Sequence, residues 1–344
     1  MNSTAKSIAV YGAAGHTGQF VVRVAQRRGL PVVAVGRSAA RLGETIAAEV
    51  PRRVAVLEEP ASLERAFAGC SLVINCAGPF LDTAQPVAQA ALRAGCHYID
   101  VTAEQPSAQA TFAELDAPAR AAGRAVIPAA GFYGGLADLL ASALTSALAS
   151  ADDIDEITIA IALDRWWPTD GTRKTGERNK APRLVVTNGR LAGLAPSVAP
   201  ADWSFSEPLG NQAMVDLPFS EIITLNHHLK AGAIRSLLNR SALDDIHDAS
   251  TPSPTAVDDS GRSAQRFEMV VRLVQGGVTK TAGARGQDIY AVTAPIVIGA
   301  AQRLLAPSYR RSGALALAEA VDAVELLRAL HGPAIEVFGD ALPG

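Results

Sequence analysis

Three glycines at Gly12, Gly15 and Gly18 follow the short apolar run Ile8–Tyr11 and lead into a segment with helical apolar spacing. A phosphate can rest on such a loop. Gly12 allows a tight turn, Gly15 lets the backbone approach a pyrophosphate, and Gly18 permits close packing of the helix on the strand. The start of the helix, carrying Ala14, His16 and Thr17, offers free N–H groups and the positive end of a dipole. A second cluster decides which dinucleotide this is. Arg37 stands 19 positions beyond Gly18 in "AVGRSAARL", followed by Ser38 and Arg41, and no acidic residue occurs between Gly18 and Glu44. An NAD site expects Asp or Glu at that place to hold the ribose 2′-hydroxyl, whereas a guanidinium suits a 2′-phosphate. NADP(H) is therefore the expected cofactor; the competing reading of Arg37 is a surface arginine.

The residues that would do chemistry on a substrate are less marked. Segment 164–183, "DRWWPTDGTRKTGERNKAPR", holds six basic residues (Arg165, Arg173, Lys174, Arg178, Lys180, Arg183) against three acids, beside Trp166 and Trp167. Read as a polar loop, it would suit an anionic substrate: Arg173 and Lys174 to hold a carboxylate and Trp166 as a wall. The bland alternative is a solvated loop whose tryptophans plug the domain. His227 and His228 follow the strand-like "SEIITL", which would point them to opposite sides, so at most one, His227, would face a cleft. Tyr133 is a candidate hydrogen-bond donor or orienter, and Asp138 is equally a site carboxylate or a surface group. A short-chain dehydrogenase needs Tyr-x-x-x-Lys. The five tyrosines are followed four positions later by Gly15, Thr102, Ala137, Ala294 and Gly313, so that mechanism is excluded. No metal site is expected, because Cys70, Cys76 and Cys96 lack metal-like spacing.

The elements that must position these groups alternate over the first 130 residues. Unbroken apolar strands separated by helices indicate a parallel sheet covered on both faces, which is an α/β, doubly wound Rossmann domain. Beyond it the texture changes to mixed α+β. Gly134–Leu148 reads as a helix, and Ile154–Leu163 alternates like a strand with one solvated face. Asn188-Gly189 and Gly276-Gly277 mark hairpins, a helix runs from about Asp288 to Leu305, and a leucine-rich helix lies near 315–330. The expected division is a cofactor domain at 1–130, a smaller substrate and dimerisation domain at 131–310, and a helical segment at 311–344 that packs back on the first domain.

At "LVINCAGPFLDTAQPVAQAALRAGCHYIDVTAE" (72–104) the sequence resembles the saccharopine dehydrogenase-like oxidoreductases. The resemblance rests on Asn75 to Phe80, on Ala94-Gly95, on His97 to Asp100 and on Glu104; "AAGFYGGLADLLA" (129–141) and "ARGQDIYAVTAPIVIGAAQRLL" (284–305) are similar to later parts of that family. It implies an NADP-binding Rossmann domain joined to a smaller mixed domain, with hydride transfer to imine-type or, in some branches, enoyl substrates. It also implies that Ala77, Gly78, Pro79 and Phe80 lie beside the nicotinamide half of the cofactor, although Phe80 also reads as plain core. Where the saccharopine-acting branch has Pro-Gly, this chain has Tyr133-Gly134-Gly135, so saccharopine itself is not the expected substrate.

Length and composition agree with a globular enzyme. The chain has 344 residues, 49% hydrophobic and 19% charged, with a net charge of −3, and gives no sign of a nucleic-acid partner. The most apolar runs, 139–151 and 289–301, are shorter than the roughly 18 residues a membrane span needs. No signal peptide or membrane partner is expected, and three sparse cysteines fit the reducing cytosol. The expectation is an NADPH-dependent reductase acting on the C=N bond of a small substrate, active as a homodimer. The alternatives are a trans-acting enoyl reductase and a non-catalytic NADP-binding sensor.

Overall fold

The computed structural model describes residues 6–146, 153–195 and 201–340. The first half contains β1 (Ser7–Tyr11), α1 (His16–Arg27), β2 (Val32–Gly36), α2 (Ala39–Thr45), β3 (Arg52–Val54), α3 (Pro60–Phe67), β4 (Cys70–Asn75), α4 (Phe80–Arg93), β5 (His97–Asp100), α5 (Gln105–Ala122) and β6 (Ala125–Ile127). β1, β2 and β4 are apolar at nearly every position because apolar cores lie on both faces of the sheet. All pairings of these strands are parallel and their order is β6-β5-β4-β1-β2-β3. Strand order reverses at β1, which lies between β2 and β4, so a crevice for a ligand opens at the C-terminal ends of β1 and β4.

The chain then makes a π-helical turn (Phe132–Leu136) that leads into α6 (Ala137–Ser146). The last two residues of the helix expected over 134–148 lie outside the described residues. The second half continues with β7 (Ile154–Leu163), α7 (Asp170–Arg178), β8 (Leu184–Thr187), β9 (Arg190–Gly193), β10 (Ala201–Ser204), β11 (Asn211–Asp216), α8 (Glu221–His228), β12 (Ala231–Asn239), α9 (Arg240–His247), β13 (Arg266–Gln275), β14 (Val278–Gln287) and α10 (Ile289–Leu304). A second sheet runs β10-β11-β12-β7-β13-β14, with the β8–β9 hairpin paired to β12. Both expected hairpins are present, β8–β9 at Asn188-Gly189 and β13–β14 at Gly276-Gly277.

Four readings of this half need correction. β7 has no solvated face: it sits at the centre of the sheet, parallel to β12 and antiparallel to β13, with one apolar cluster under each face. "SEIITL" is the opening of a helix, not a strand. Segment 164–183 contains the nine-residue helix α7, although none of its residues is buried. The C-terminal segment is not only helical. After α10 come β15 (Gly313–Ala314), α11 (Leu317–Ala320), α12 (Ala323–Leu330) and β16 (Ile335–Gly339). β15 extends the first sheet beside β6, and β16 extends the second beside β14.

Candidate active site

The glycine loop has the shape that its spacing predicts. Gly12 has φ +79°, and a Cβ added there would lie 2.8 Å from the backbone nitrogen of Ala77; a Cβ on Gly18 would lie 2.2 Å from the Gly12 carbonyl oxygen. Only hydrogen fits at either place. Gly15 caps α1 without a side-chain bond, and the N–H groups of His16, Thr17 and Gly18 find no acceptor among the described residues. The loop is therefore a concave surface with free donors at the positive end of a helix, which fits a pyrophosphate.

Arg37 lies exposed just past β2 and makes no hydrogen bond or ion pair among the described residues. Ser38 caps α2, its hydroxyl accepting from the backbone N–H of Arg41 at 3.3 Å. Arg37 and Arg41 are thus two exposed guanidinium groups just past the end of β2, while the Ser38 hydroxyl is already engaged by the backbone.

At the other end of the crevice, Asn75 accepts from the N–H of Ala77 at 3.0 Å, and Thr83 donates to the Ala77 carbonyl at 2.6 Å. Glu104 closes the start of α4 by accepting from the N–H of Phe80 at 2.6 Å. Asp100, fully buried at the end of β5, accepts from the N–H groups of Thr102 and Ala129 at 3.0 and 2.8 Å and from the Tyr98 hydroxyl at 3.1 Å. Burial pushes its pKa up to about 6, with these hydrogen bonds opposing the shift. The segment Ala77–Phe80 is thereby fixed from both sides. Gly78 and Pro79 reach the surface of the crevice, and the Phe80 ring is buried against Gly78.

The second domain roofs this crevice. A Cβ on Gly78 would lie 3.0 Å from the Thr175 hydroxyl of α7, and Arg178 of α7 pairs with Asp82 of α4 at 3.0 Å. Thr172 shares a 2.9 Å hydrogen bond with the Tyr290 hydroxyl, which also accepts from the Trp166 indole at 3.1 Å. The Tyr290 ring stands edge-on to His16 of the glycine loop, 5.4 Å between centroids. His16 is pushed towards its neutral form by burial, and its Nε2 has no partner. Trp166 also leans on Tyr133 and Phe219, both 6.1 Å away.

Tyr133 stands at the centre of this aromatic group. Its ring is 9% exposed and stacks at 4.2 Å on Phe219, and its hydroxyl has no hydrogen-bond partner. Burial drives its pKa well above the ordinary tyrosine value, so the phenol keeps its proton. Arg183 lies with its guanidinium 4.8 Å from the Phe219 ring centre and donates to the Pro218 carbonyl at 2.5 Å.

Trp166 and Tyr133 are thus brought together, but the other substrate candidates are not. Arg173 donates to the carbonyls of Thr251 and Asp248, at 2.5 and 3.4 Å, so it ties down a loop instead of facing the crevice. Lys174 is exposed on α7. His227 ends α8, stacks on Phe112 at 3.9 Å and meets Glu319 at 3.4 Å. Its neighbour His228 is bonded to the buried Asp138 at 2.6 Å, and Asp138 also accepts from the N–H of Ala318, which makes it a structural group and not a site carboxylate. A helix starting at Ser220 explains the shift: it puts both histidines at the end remote from Tyr133. The basic residue that shares the Phe219 ring with Tyr133 is Arg183, and Tyr290 is linked to Tyr133 through Trp166. Arg183 was one of six equivalent-looking cations in the sequence, and only the start of β8 singles it out.

Residues 8–127 match the family described as the saccharopine dehydrogenase NADP binding domain. The match takes in nearly the whole of the first sheet, from β1 to β6. Among curated proteins, the chain is 32% identical over 154 residues to a "probable mitochondrial saccharopine dehydrogenase-like oxidoreductase" of Arabidopsis thaliana, covering 38% of this chain and 34% of that protein. It is 30% identical over 152 residues to the saccharopine dehydrogenase-like oxidoreductase of Rattus norvegicus, covering 38% and 35%. The chain therefore spans about a third of the length of these relatives. Apo saccharopine dehydrogenase (L-Glu forming) of Saccharomyces cerevisiae shares the fold across 97% of this chain and 99% of that one, with a TM-score of 0.65 at 12% identity. A meso-DAPDH mutant from Clostridium tetani does so across 93% and 95%, with a TM-score of 0.52 at 12% identity. The two-domain architecture is thus shared even where the sequence has diverged. NADP is the cofactor of the saccharopine dehydrogenase-type domain, and the glycine cradle and the free arginines fit it. Among the described residues no helix is long and apolar enough to cross a membrane.

Proposed function

We propose that this protein is an NADPH-dependent reductase of the saccharopine dehydrogenase-like type, acting on the C=N bond of a small, carboxylate-bearing substrate in the crevice between its two domains. The observation that carries the reading is a polar and aromatic wall from the second domain, Tyr133, Trp166, Arg183 and Tyr290, roofing the crevice of an NADP-binding domain. The cofactor supplies the hydride. The residues proposed to hold it are Gly12, Ala14, Gly15, His16, Thr17 and Gly18 at the pyrophosphate, Arg37, Ser38 and Arg41 at the 2′-phosphate, and Ala77 to Phe80 at the nicotinamide end. Helix α7 shields the reacting atoms from water, and Tyr133, held protonated, orients the substrate by donating a hydrogen bond. Carbon gains the hydride and nitrogen takes up a proton.

NADPH oxidation followed at its absorbance maximum, with a panel of imines formed in place from 2-oxo acids and amines, tests the reading. Turnover with any member supports it. Tight NADPH binding with turnover of α,β-unsaturated thioesters alone would make the protein an enoyl reductase, and binding with no turnover of either class would make it a sensor.

The free thiols of Cys70, Cys76 and Cys96 support a reducing compartment such as the cytosol. A homodimer belongs to the same proposal. The outer face of the second sheet carries a shallow groove of about 550 Å³ walled by Trp203, Phe205, Val270 and Phe338, which supports pairing there, and sedimentation velocity tests it.

A further inference from the structure

The C-terminal edge of the first sheet is organised around one fully buried carboxylate, that of Asp100. Its Oδ2 accepts from the Tyr98 hydroxyl at 3.1 Å, and that hydroxyl accepts in turn from the Asn75 amide at 3.1 Å. The same amide donates to the Thr83 hydroxyl at 3.2 Å. Asn75 and Thr83 between them hold the N–H and the carbonyl of Ala77. A hydroxyl that donates to a carboxylate is a better acceptor for the amide behind it, so these bonds reinforce one another. An unbroken chain of hydrogen bonds thus joins Asp100 to the first residue of the Ala77–Phe80 segment.

The other oxygen serves the opposite wall. Oδ1 accepts from the N–H groups of Thr102 and Ala129 at 3.0 and 2.8 Å, and the Asp100 carbonyl accepts from the N–H of Ala130 at 2.8 Å. Ala129 has φ +56°, a left-handed conformation that alanine rarely adopts and that persists only where its surroundings hold it. The turn that carries Tyr133 sits directly on this backbone: a Cβ on Gly134 would run into the Ala129 carbonyl oxygen. Thr102 reaches the same aromatic group from its other side. Its carbonyl accepts from the Ser220 hydroxyl at 2.9 Å, and Ser220 follows Phe219, on which Tyr133 packs.

We propose that Asp100 is a positioning residue that sets the two walls of the crevice against each other, holding Ala77–Phe80 through Tyr98 and Asn75 and the Tyr133 turn through Ala129 and Thr102. The proposal rests on the reductase reading, which seats the nicotinamide beside Ala77–Phe80 and the substrate against Tyr133. Reacting atoms must meet at about 3–3.5 Å, and a misplacement of about 1 Å costs roughly a hundredfold in rate. The two walls come from separate segments, and one carboxylate bonded to both removes their freedom to drift apart. Because Asp100 is fully buried, bulk water does not replace a bond that is removed.

NADPH and 2′-phospho-ADP-ribose, which lacks the nicotinamide, separate the two ends of the cofactor, and titration calorimetry on the full chain measures both without turnover. Wild type is expected to bind NADPH at least about fivefold more tightly. Tyr98→Phe cuts the nicotinamide arm alone. It should bring the two affinities within about twofold of each other, while hydrogen exchange at the amides of 129–136 stays at the wild-type rate. Asp100→Asn keeps an oxygen for Thr102 and Ala129 but leaves the Tyr98 hydroxyl without its acceptor, so it should copy Tyr98→Phe. Asp100→Ser removes both arms and should also speed exchange at 129–136 by about tenfold. Should that protein not fold, Ser220→Ala reads the same arm, with exchange at 131–136 about threefold faster and both nucleotide affinities unchanged. In every variant 2′-phospho-ADP-ribose should bind as it does to wild type, because a fold that is merely loosened would weaken both nucleotides together. Equal affinities in wild type, a Tyr98→Phe or Asp100→Asn protein that keeps the wild-type preference, losses shared by both nucleotides, or unchanged exchange beside Tyr133 overturn the assignment. Failure of wild type to bind either nucleotide would instead sink the reductase reading itself.

Discussion

At Arg37 a single side chain is proposed to carry the choice of cofactor. It is exposed, unpartnered among the described residues, and placed where β2 ends. Its contact with a 2′-phosphate would be charge-assisted and worth about 1.5–3 kcal/mol, so Arg37→Ala should weaken NADPH binding roughly 10- to 150-fold and leave NADH binding nearly unchanged. Fluorescence titration with both nucleotides checks this; unchanged NADPH affinity would remove Arg37 from the site. Asp100 makes the opposite kind of prediction, about stability. Its pKa is raised from 3.8 to about 6 in the fold, so the folded state holds a proton that the unfolded chain has lost. Stability therefore falls as pH rises through that window, by at most about 3 kcal/mol for a two-unit shift. Asp100→Asn keeps an oxygen for the N–H groups of Thr102 and Ala129 and should flatten this dependence. Urea unfolding of both proteins at about pH 4.5 and 7 shows whether the gap between them changes; parallel curves would mean that Asp100 does not titrate there. Arg37 was legible in the sequence because its meaning depends on a local strand end. Asp100 was visible only as part of a resemblance, because its burial depends on three elements meeting.

Helix α7 shows how an element can be placed by its neighbours alone. None of its residues is buried, so no apolar stripe marks it, and a polar loop was the natural expectation. The local signals were its cap, Thr169, which accepts from the N–H of Thr172 at 3.1 Å, and Asp170 in the first turn. What fixes the helix over Gly78 is the Thr172–Tyr290 bond, the Arg178–Asp82 pair and the hold of Arg173 on the Thr251 carbonyl. Tyr290→Phe removes the first of these and the acceptor of the Trp166 indole. With about 1 kcal/mol lost, the amides of 170–178 should exchange several-fold faster in hydrogen exchange, while those of β1 and β4 stay protected. Unchanged exchange in α7 would show that the phenol does not hold it. Helix α8 teaches a related lesson. "SEIITL" is a short apolar run that periodicity cannot assign, and its being a helix puts His227 in the last turn, stacked on Phe112 instead of beside Tyr133.

Over the whole molecule the last thirty described residues bind the two halves together. β15 pairs with β6 in the first sheet and β16 with β14 in the second, while α10 of the second half packs on α1 of the first. The two sheets should therefore unfold in a single calorimetric transition; two resolved transitions would show that the halves are independent. The nucleotide crevice was determined by the sequence itself. Strand, glycine turn, helix and the arginine after β2 are contiguous, and their conformations follow from local sterics and helix-end electrostatics. Which side chains would meet the substrate was decided only by tertiary structure. Tyr133, Trp166, Arg183 and Tyr290 are separated by up to 157 positions, and a buried group's unmet hydrogen bonds exist only once the chain has enclosed it.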